Sequence, residues 1–285
     1  MGSTELNVAA LVEQLPDSDS PGAESTFTGP EPGEATPLFE QILAAGPAAV
    51  TALIELIREP GHPDFRSFRA EYLLHCLAVY VGGPDRTAWK RMLSASLAEQ
   101  AANTHLSMPV RALLVRELGV AGGPEVVPAL IGLLAEADLC EVAVAALCAI
   151  GDGAAEPLRG ALAGLTGRCR LAAVQALGAL AAPTSAGALR DALRDEAAAV
   201  RVAAAWALAR VGDGGARALM LAEADREEGF DRVKATQACL LLAETLRATG
   251  RGQDAAGIYR HLFETRTDPA ERHIREIAAR ALGAG

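Results

Sequence analysis

The sequence predicts an all-α fold, an α-solenoid of antiparallel helical hairpins, and three observations predict it. The first is composition. Hydrophobic residues make up 51% of the 285-residue chain and aromatics only 4%. The apolar total is mostly Ala and Leu, which lose little entropy in a helix and let helix backbones come close together. The second is internal similarity. "VRALLVRELGVAGGP" (110–124), "LCEVAVAALCAIGDG" (139–153), "CRLAAVQALGALAAP" (169–183) and "VRVAAAWALARVGDG" (200–214) align without gaps. Their matching leucines, Leu118, Leu147, Leu177 and Leu208, are 29, 30 and 31 residues apart. Such a period marks stacked hairpins, none of which buries its apolar face alone. The third is punctuation. An amphipathic helix opened by Pro or Gly precedes each of the last three segments: "PEVVPALIGLLAE", "GAAEPLRGALAGL" and "PTSAGALRDALRD". Those residues suit a first helical position or a tight turn.

In chain order, residues 1–36 stand apart. They hold seven acidic residues and no Lys or Arg, and from Pro16 they run "PDSDSPGAESTFTGPEPGEATP". Pro, Gly, Ser and acid at this density bury too little apolar surface to offset ordering, so a flexible tail is expected. Within it "LNVAALVEQL" (6–15) has helical spacing, and reads either as a short docked helix or as part of the tail. Residues 37–230 read as the hairpin array, and residues 231–285 as a hairpin of another type with a capping helix, "ERHIREIAARAL".

The array resembles the HEAT-repeat family, in the short form found in phycobilisome lyases and bacterial scaffold proteins. The pattern VR-x-A-A-x-x-A-L-x-x-V-G-D is clearest over residues 200–213, and a looser copy pairs "PAAVTALIELI" with "FRAEYLLHCLAVYVGG". Cys140 departs by replacing the repeat Arg, and Ala181 and Ala182 by replacing the Gly-Asp turn. The stretch "LAETLRATGRGQDAAGIYRHLFETRTDP" (242–269) resembles a tetratricopeptide hairpin, with Gly250 at the turn, Ala255 at the small packing site and Tyr259 as the aromatic. The resemblance implies a right-handed superhelix whose second helices line a concave surface. It is specific for fold and nearly silent on function.

Charge and chemistry narrow the function classes. A net charge of −10 opposes non-specific binding to nucleic acid or anionic membrane, and no apolar run reaches the length of a membrane span. The N-terminus has neither the basic start nor the apolar core of a secretion signal. The five cysteines, Cys76, Cys140, Cys148, Cys169 and Cys239, are odd in number and widely spaced. All five are read as small core residues, in a reducing and therefore cytoplasmic setting. No His-Glu pair, H-E-x-x-H or Cys-x-x-Cys offers a metal site. The two lysines, Lys90 and Lys234, follow no phosphate-binding glycine loop. Neither cofactor nor catalytic residue is expected.

Two sets of side chains remain. Arg111, Arg170 and Arg201, with Lys234 in a similar place, form a periodic ladder that is read as bridging neighbouring repeats rather than binding anions. Residues one, five and nine beyond each ladder position share one helical face. The fifth is Arg116, Ala145, Gln175 and Trp206 in turn, and a position that accepts Arg and Gln is not sealed core. A partner-binding stripe is therefore expected around Trp206 and Arg210, with Gln175, Leu171, Arg116 and Glu141; the alternative is that Trp206 packs beneath the C-terminal hairpin. The expected function is a non-catalytic scaffold for a protein or peptide. Two alternatives are a lyase or chaperone for a chromophore or prosthetic group, for which the stripe offers only Glu141 as a reactive side chain, and a structural segment of a larger assembly.

Overall fold

The computed structural model describes residues 6–15, 32–58 and 65–283, which form helices and turns with no strand among them. The chain divides into two compact units, Met1–Asp152 and Gly153–Gly285.

The first unit contains α1 (Val8–Val12), α2 (Pro32–Ala45), α3 (Pro47–Glu55), α4 (Phe65–Tyr80), α5 (Thr87–Ala102), α6 (Met108–Ala121), α7 (Val127–Leu133) and α8 (Cys140–Ile150). Helices α3/α4, α5/α6 and α7/α8 pair as hairpins, and their second members α4, α6 and α8 pack in sequence. The second unit contains α9 (Ala155–Ala161), α10 (Gly167–Leu180), α11 (Ala186–Ala192), α12 (Ala198–Val211), α13 (Arg217–Arg226), α14 (Gly229–Ala248), α15 (Gly252–Thr265) and α16 (Arg272–Gly283). Here α10, α12 and α14 are the neighbouring second helices, α15 packs on α14, and α16 packs on α15.

The repeat pattern translates directly into this packing. Leu118, Leu147, Leu177 and Leu208 are fully buried. Of the predicted openings, Pro124 and Pro183 begin short 3-10 turns at Pro124–Val126 and Pro183–Ser185, and Gly153 lies in the turn before α9. The second helices approach so closely that a Cβ built on Gly178 would lie 2.8 Å from Ala207 Cα, and one on Gly119 would lie 3.2 Å from Ala146 Cα. Glycine occupies the contact on one helix and alanine on the next, in the same register in both units.

Where the Gly-Asp turn is missing, the backbone keeps its shape. Gly151 and Gly212 end their helices with φ of 69° and 74°, and Ala181 adopts φ 48°, ψ 32° in the corresponding place. A Cβ is disfavoured in this left-handed region.

Three expectations change. Residues 6–15 are not tail: α1 buries Val8, Leu11 and Val12, and Leu15 is buried behind it. Asn7 Oδ1 caps the helix by accepting from the Ala10 amide at 3.1 Å. Five residues cannot hold a helix by themselves, so packing on α3 and α4 sustains it. The rest of the proposed tail, residues 16–31, lies outside the described residues, and α2 starts at Pro32, before the expected boundary at 37. The expected boundary at 230/231 falls in the first turn of α14, whereas the compact units divide at Asp152/Gly153. Finally, Cys76 and Cys148 are half-buried free thiols rather than core residues, whereas the free Cys239 is buried.

Two stability measurements test this account. Leu11→Ala costs about 2 kcal/mol or more by urea denaturation; an unchanged midpoint, both for it and for a chain lacking residues 1–15, would count against a docked α1. Ala181→Gly stabilises by about 1 kcal/mol, through relief of the left-handed strain, and a loss of stability would contradict that assignment.

Candidate partner-binding face

The ladder arginines are occupied by structural work. Arg111 is buried; its Nε donates to the Ala101 carbonyl at 2.7 Å, and its two terminal nitrogens donate to both Glu136 oxygens, each at 2.7 Å. Arg170 donates to the Leu162 carbonyl at 2.7 Å and to Asp195 Oδ2 at 2.6 Å. Arg201 donates to the Asp195 and Glu196 carbonyls at 3.0 and 2.8 Å, and also to Glu223 and Glu227. Each arginine thus joins the carbonyls behind its own first helix to a carboxylate behind the next first helix. Helix C-terminal carbonyls lack intrahelical donors and carry partial negative charge, so a guanidinium suits the place twice over.

The last rung corrects the sequence count. Arg232, not Lys234, takes the place: it donates to the Ala224 and Asp225 carbonyls at 3.2 and 3.3 Å and to both Glu271 oxygens at 2.8 and 3.0 Å. Lys234 Nζ instead lies 5.2 Å from the Phe230 ring centroid. The signal was present, since Arg232-Val233 matches Arg201-Val202, with Ala235 and Ala238 in phase with Ala204 and Ala207.

With the register corrected, the outward face of the second unit can be read across three helices. Positions one, five and nine are Leu171, Gln175 and Ala179 on α10, then Val202, Trp206 and Arg210 on α12, then Val233, Gln237 and Leu241 on α14. Gln175, Ala179 and Arg210 are exposed, and Trp206 is half-buried, between its exposed and sealed neighbours. Val233 is 44% exposed, and Phe230, one turn earlier, is 73% exposed. Gln237, Val233 and Phe230 escaped the sequence reading because the Lys234 register shifted α14 by two residues. Arg116 and Glu141, both exposed, lie on the corresponding face of α6 and α8 in the first unit. The six expected residues are therefore four in one unit and two in the other.

The remaining candidates for chemistry are accounted for by packing. His75 Nδ1 lies 3.0 Å from Glu117 Oε2, and His261 Nε2 lies 2.7 Å from Asp225 Oδ2. Arg266, missed from sequence, is fully buried in the terminal hairpin and donates to Asp225 Oδ1 at 2.5 Å and to Thr236 Oγ1 at 3.3 Å. Among the described residues no three His, Cys, Asp or Glu side chains converge as a metal site. No single helix among them is long and apolar enough to cross a membrane.

Residues 156–240, which include the ladder from Arg170 to Arg232, match the family described as HEAT repeats. This segment is a HEAT-repeat array. No curated protein matches the chain in sequence. Among solved structures, an engineered protein is 18% identical, covering 87% of this chain and 71% of its own, with a TM-score of 0.46. The complex of CpcE and CpcF of phycocyanin lyase from Nostoc sp. PCC7120 is 17% identical, covering 93% and 99%, with a TM-score of 0.43. Human deoxyhypusine hydroxylase is 19% identical, covering 87% and 100%, with a TM-score of 0.34.

The arginines also set the electrostatics. Hydrogen bonds from Arg111 hold Glu136 below the usual carboxylate range. Arg190, donating to Asp213 at 2.6 and 2.8 Å, does the same there, and Arg201 does so for Glu227. At Asp195 burial pushes upward, but the Ala197 amide and Arg170 outweigh it and the net shift is down. A carboxylate depressed in the folded state contributes stability above its unfolded value and loses it as pH falls through the folded value. The denaturation midpoint should therefore hold nearly level from neutral pH to about pH 5 and fall steeply below about pH 4. Glu136→Gln should lower the neutral midpoint and flatten the acid slope. A midpoint indifferent to strong acid would show that the ladder contributes nothing.

Proposed function

We propose that this chain is a non-catalytic scaffold that binds a protein or peptide on the second-helix face of its second unit. Trp206 is the anchor, flanked by Leu171, Gln175 and Arg210; Arg116 and Glu141 belong to the matching face of the first unit and are secondary contacts. HEAT repeats generally mediate protein interactions, which supports the class of function.

One observation carries the choice of face. Alanine fills half of α12, and Ala203, Ala204, Ala205, Ala207 and Ala209 are all buried. Trp206 stands among them at a position whose counterparts are Gln175 and Gln237. A large ring there adds little to the seam between helices, and it offers apolar area with few rotatable bonds to an incoming partner. Half-exposed Trp beside exposed Arg is the composition of an interface anchor.

Trp206→Ala should cost folding about 1–2 kcal/mol and weaken the natural partner by about 2 kcal/mol or more. The check is capture of the partner from an extract of the source organism by wild type, Trp206→Ala and Arg116→Ala, with urea denaturation of each. Loss of capture only with Trp206→Ala supports the reading. Equal capture by all three, or a Trp206→Ala chain that does not fold, moves Trp206 into the core and removes the anchor.

A further inference from the structure

The face of the second unit is unusual in charge. The chain carries 36 Asp and Glu against 26 Lys and Arg, yet none of the nine face positions on α10, α12 and α14 is a carboxylate. The one charged side chain among them is Arg210. Arg170, Arg201 and Arg232 are each tied to acids, whereas Arg210 is exposed and makes no ion pair among the described residues. A second cation, Lys234, holds its ammonium over the exposed Phe230 ring. The face therefore presents apolar surface and positive charge from a chain that is acidic overall.

Its middle row is also ordered. Gln175, Trp206 and Gln237 occupy the fifth position on three successive helices, so two amides flank one indole. Neighbouring helix axes lie about 8–10 Å apart, which puts the two amides roughly 16–20 Å apart, about six residues of extended chain at ~3.3 Å each. A Gln amide donates and accepts, and it pairs with a peptide group whose own N–H and C=O are unpaired. An extended segment offers such groups; a helix has already satisfied its own.

Building on the scaffold reading above, we propose that the occupant is an extended acidic peptide segment. It lies across α10, α12 and α14, packs an aromatic or long aliphatic side chain on Trp206, places a carboxylate on Arg210, and gives its backbone to Gln175 and Gln237.

The test uses the full chain with Trp89→Phe, so that emission reports Trp206 alone, and labelled synthetic dodecapeptides read by anisotropy. One peptide sets aspartates around a central phenylalanine, a second has lysines for the aspartates, and a third is the first with alternate backbone amides methylated. The acidic peptide should bind saturably and shift Trp206 emission, and more salt should weaken it. The lysine and methylated peptides should each bind about tenfold more weakly or worse, and Arg210→Glu, at an exposed site, should weaken the acidic peptide by about tenfold. Equal or tighter binding of the lysine peptide, indifference to Arg210→Glu, or no saturable binding of the acidic peptide overturns the proposal. In those cases Trp206-dependent capture from extract separates the two ideas. If capture persists, the scaffold stands with a different occupant; if it does not depend on Trp206, both fall.

Discussion

A Cβ on Gly178 would stand 2.8 Å from the Cα of Ala207, and this close approach of second helices governs the rest of the architecture. Backbones that near each other leave no room for branched or long side chains along the seam. The Ala-rich composition, the rigid register and the scarcity of aromatics all follow from it. So does the position of every bulky residue, because a large side chain on α10, α12 or α14 has to point either into the hairpin core, as Leu177 and Leu208 do, or outward. Trp206 takes the outward course.

The arginine ladder is the second constraint, and it acts through polar groups rather than volume. Burying a guanidinium is costly unless its donors are filled. Arg111 meets that condition with one carbonyl and one bidentate carboxylate, in positions that fix where the next first helix ends. Each rung therefore measures the distance between consecutive repeats. Arg210, by contrast, lies on the outward face and makes no ion pair among the described residues. Occupied and unoccupied arginines look alike in sequence and differ entirely in their surroundings.

Much of this was legible in the chain of letters. The thirty-residue period located the core leucines, the Pro and Gly openings located the first helices, and the variability of the fifth position located the outward face. What escaped was whatever depends on contacts between distant residues. The helix at 8–12 stayed one of two readings, because only its packing on α3 and α4 decides between them. The register of α14 is set by contacts that spacing does not show: Arg232, not Lys234, reaches two carbonyls and Glu271 at once. Nothing in the sequence marks Arg266, because its burial depends on Asp225 and Thr236, some forty and thirty positions away.

Helix α14 runs twenty residues, from Gly229 to Ala248, and serves two hairpins. Its first half completes the HEAT ladder through Arg232, and its second half buries Leu242, Ala243 and Leu246 in the hairpin with α15. A helix shared in this way has no joint at which one module ends. Pulling on the C-terminus would load α16 and α15 and then, through one continuous rod, the last HEAT hairpin. Mechanically the terminal repeats are a single element that gives way together, not two beads that open in turn.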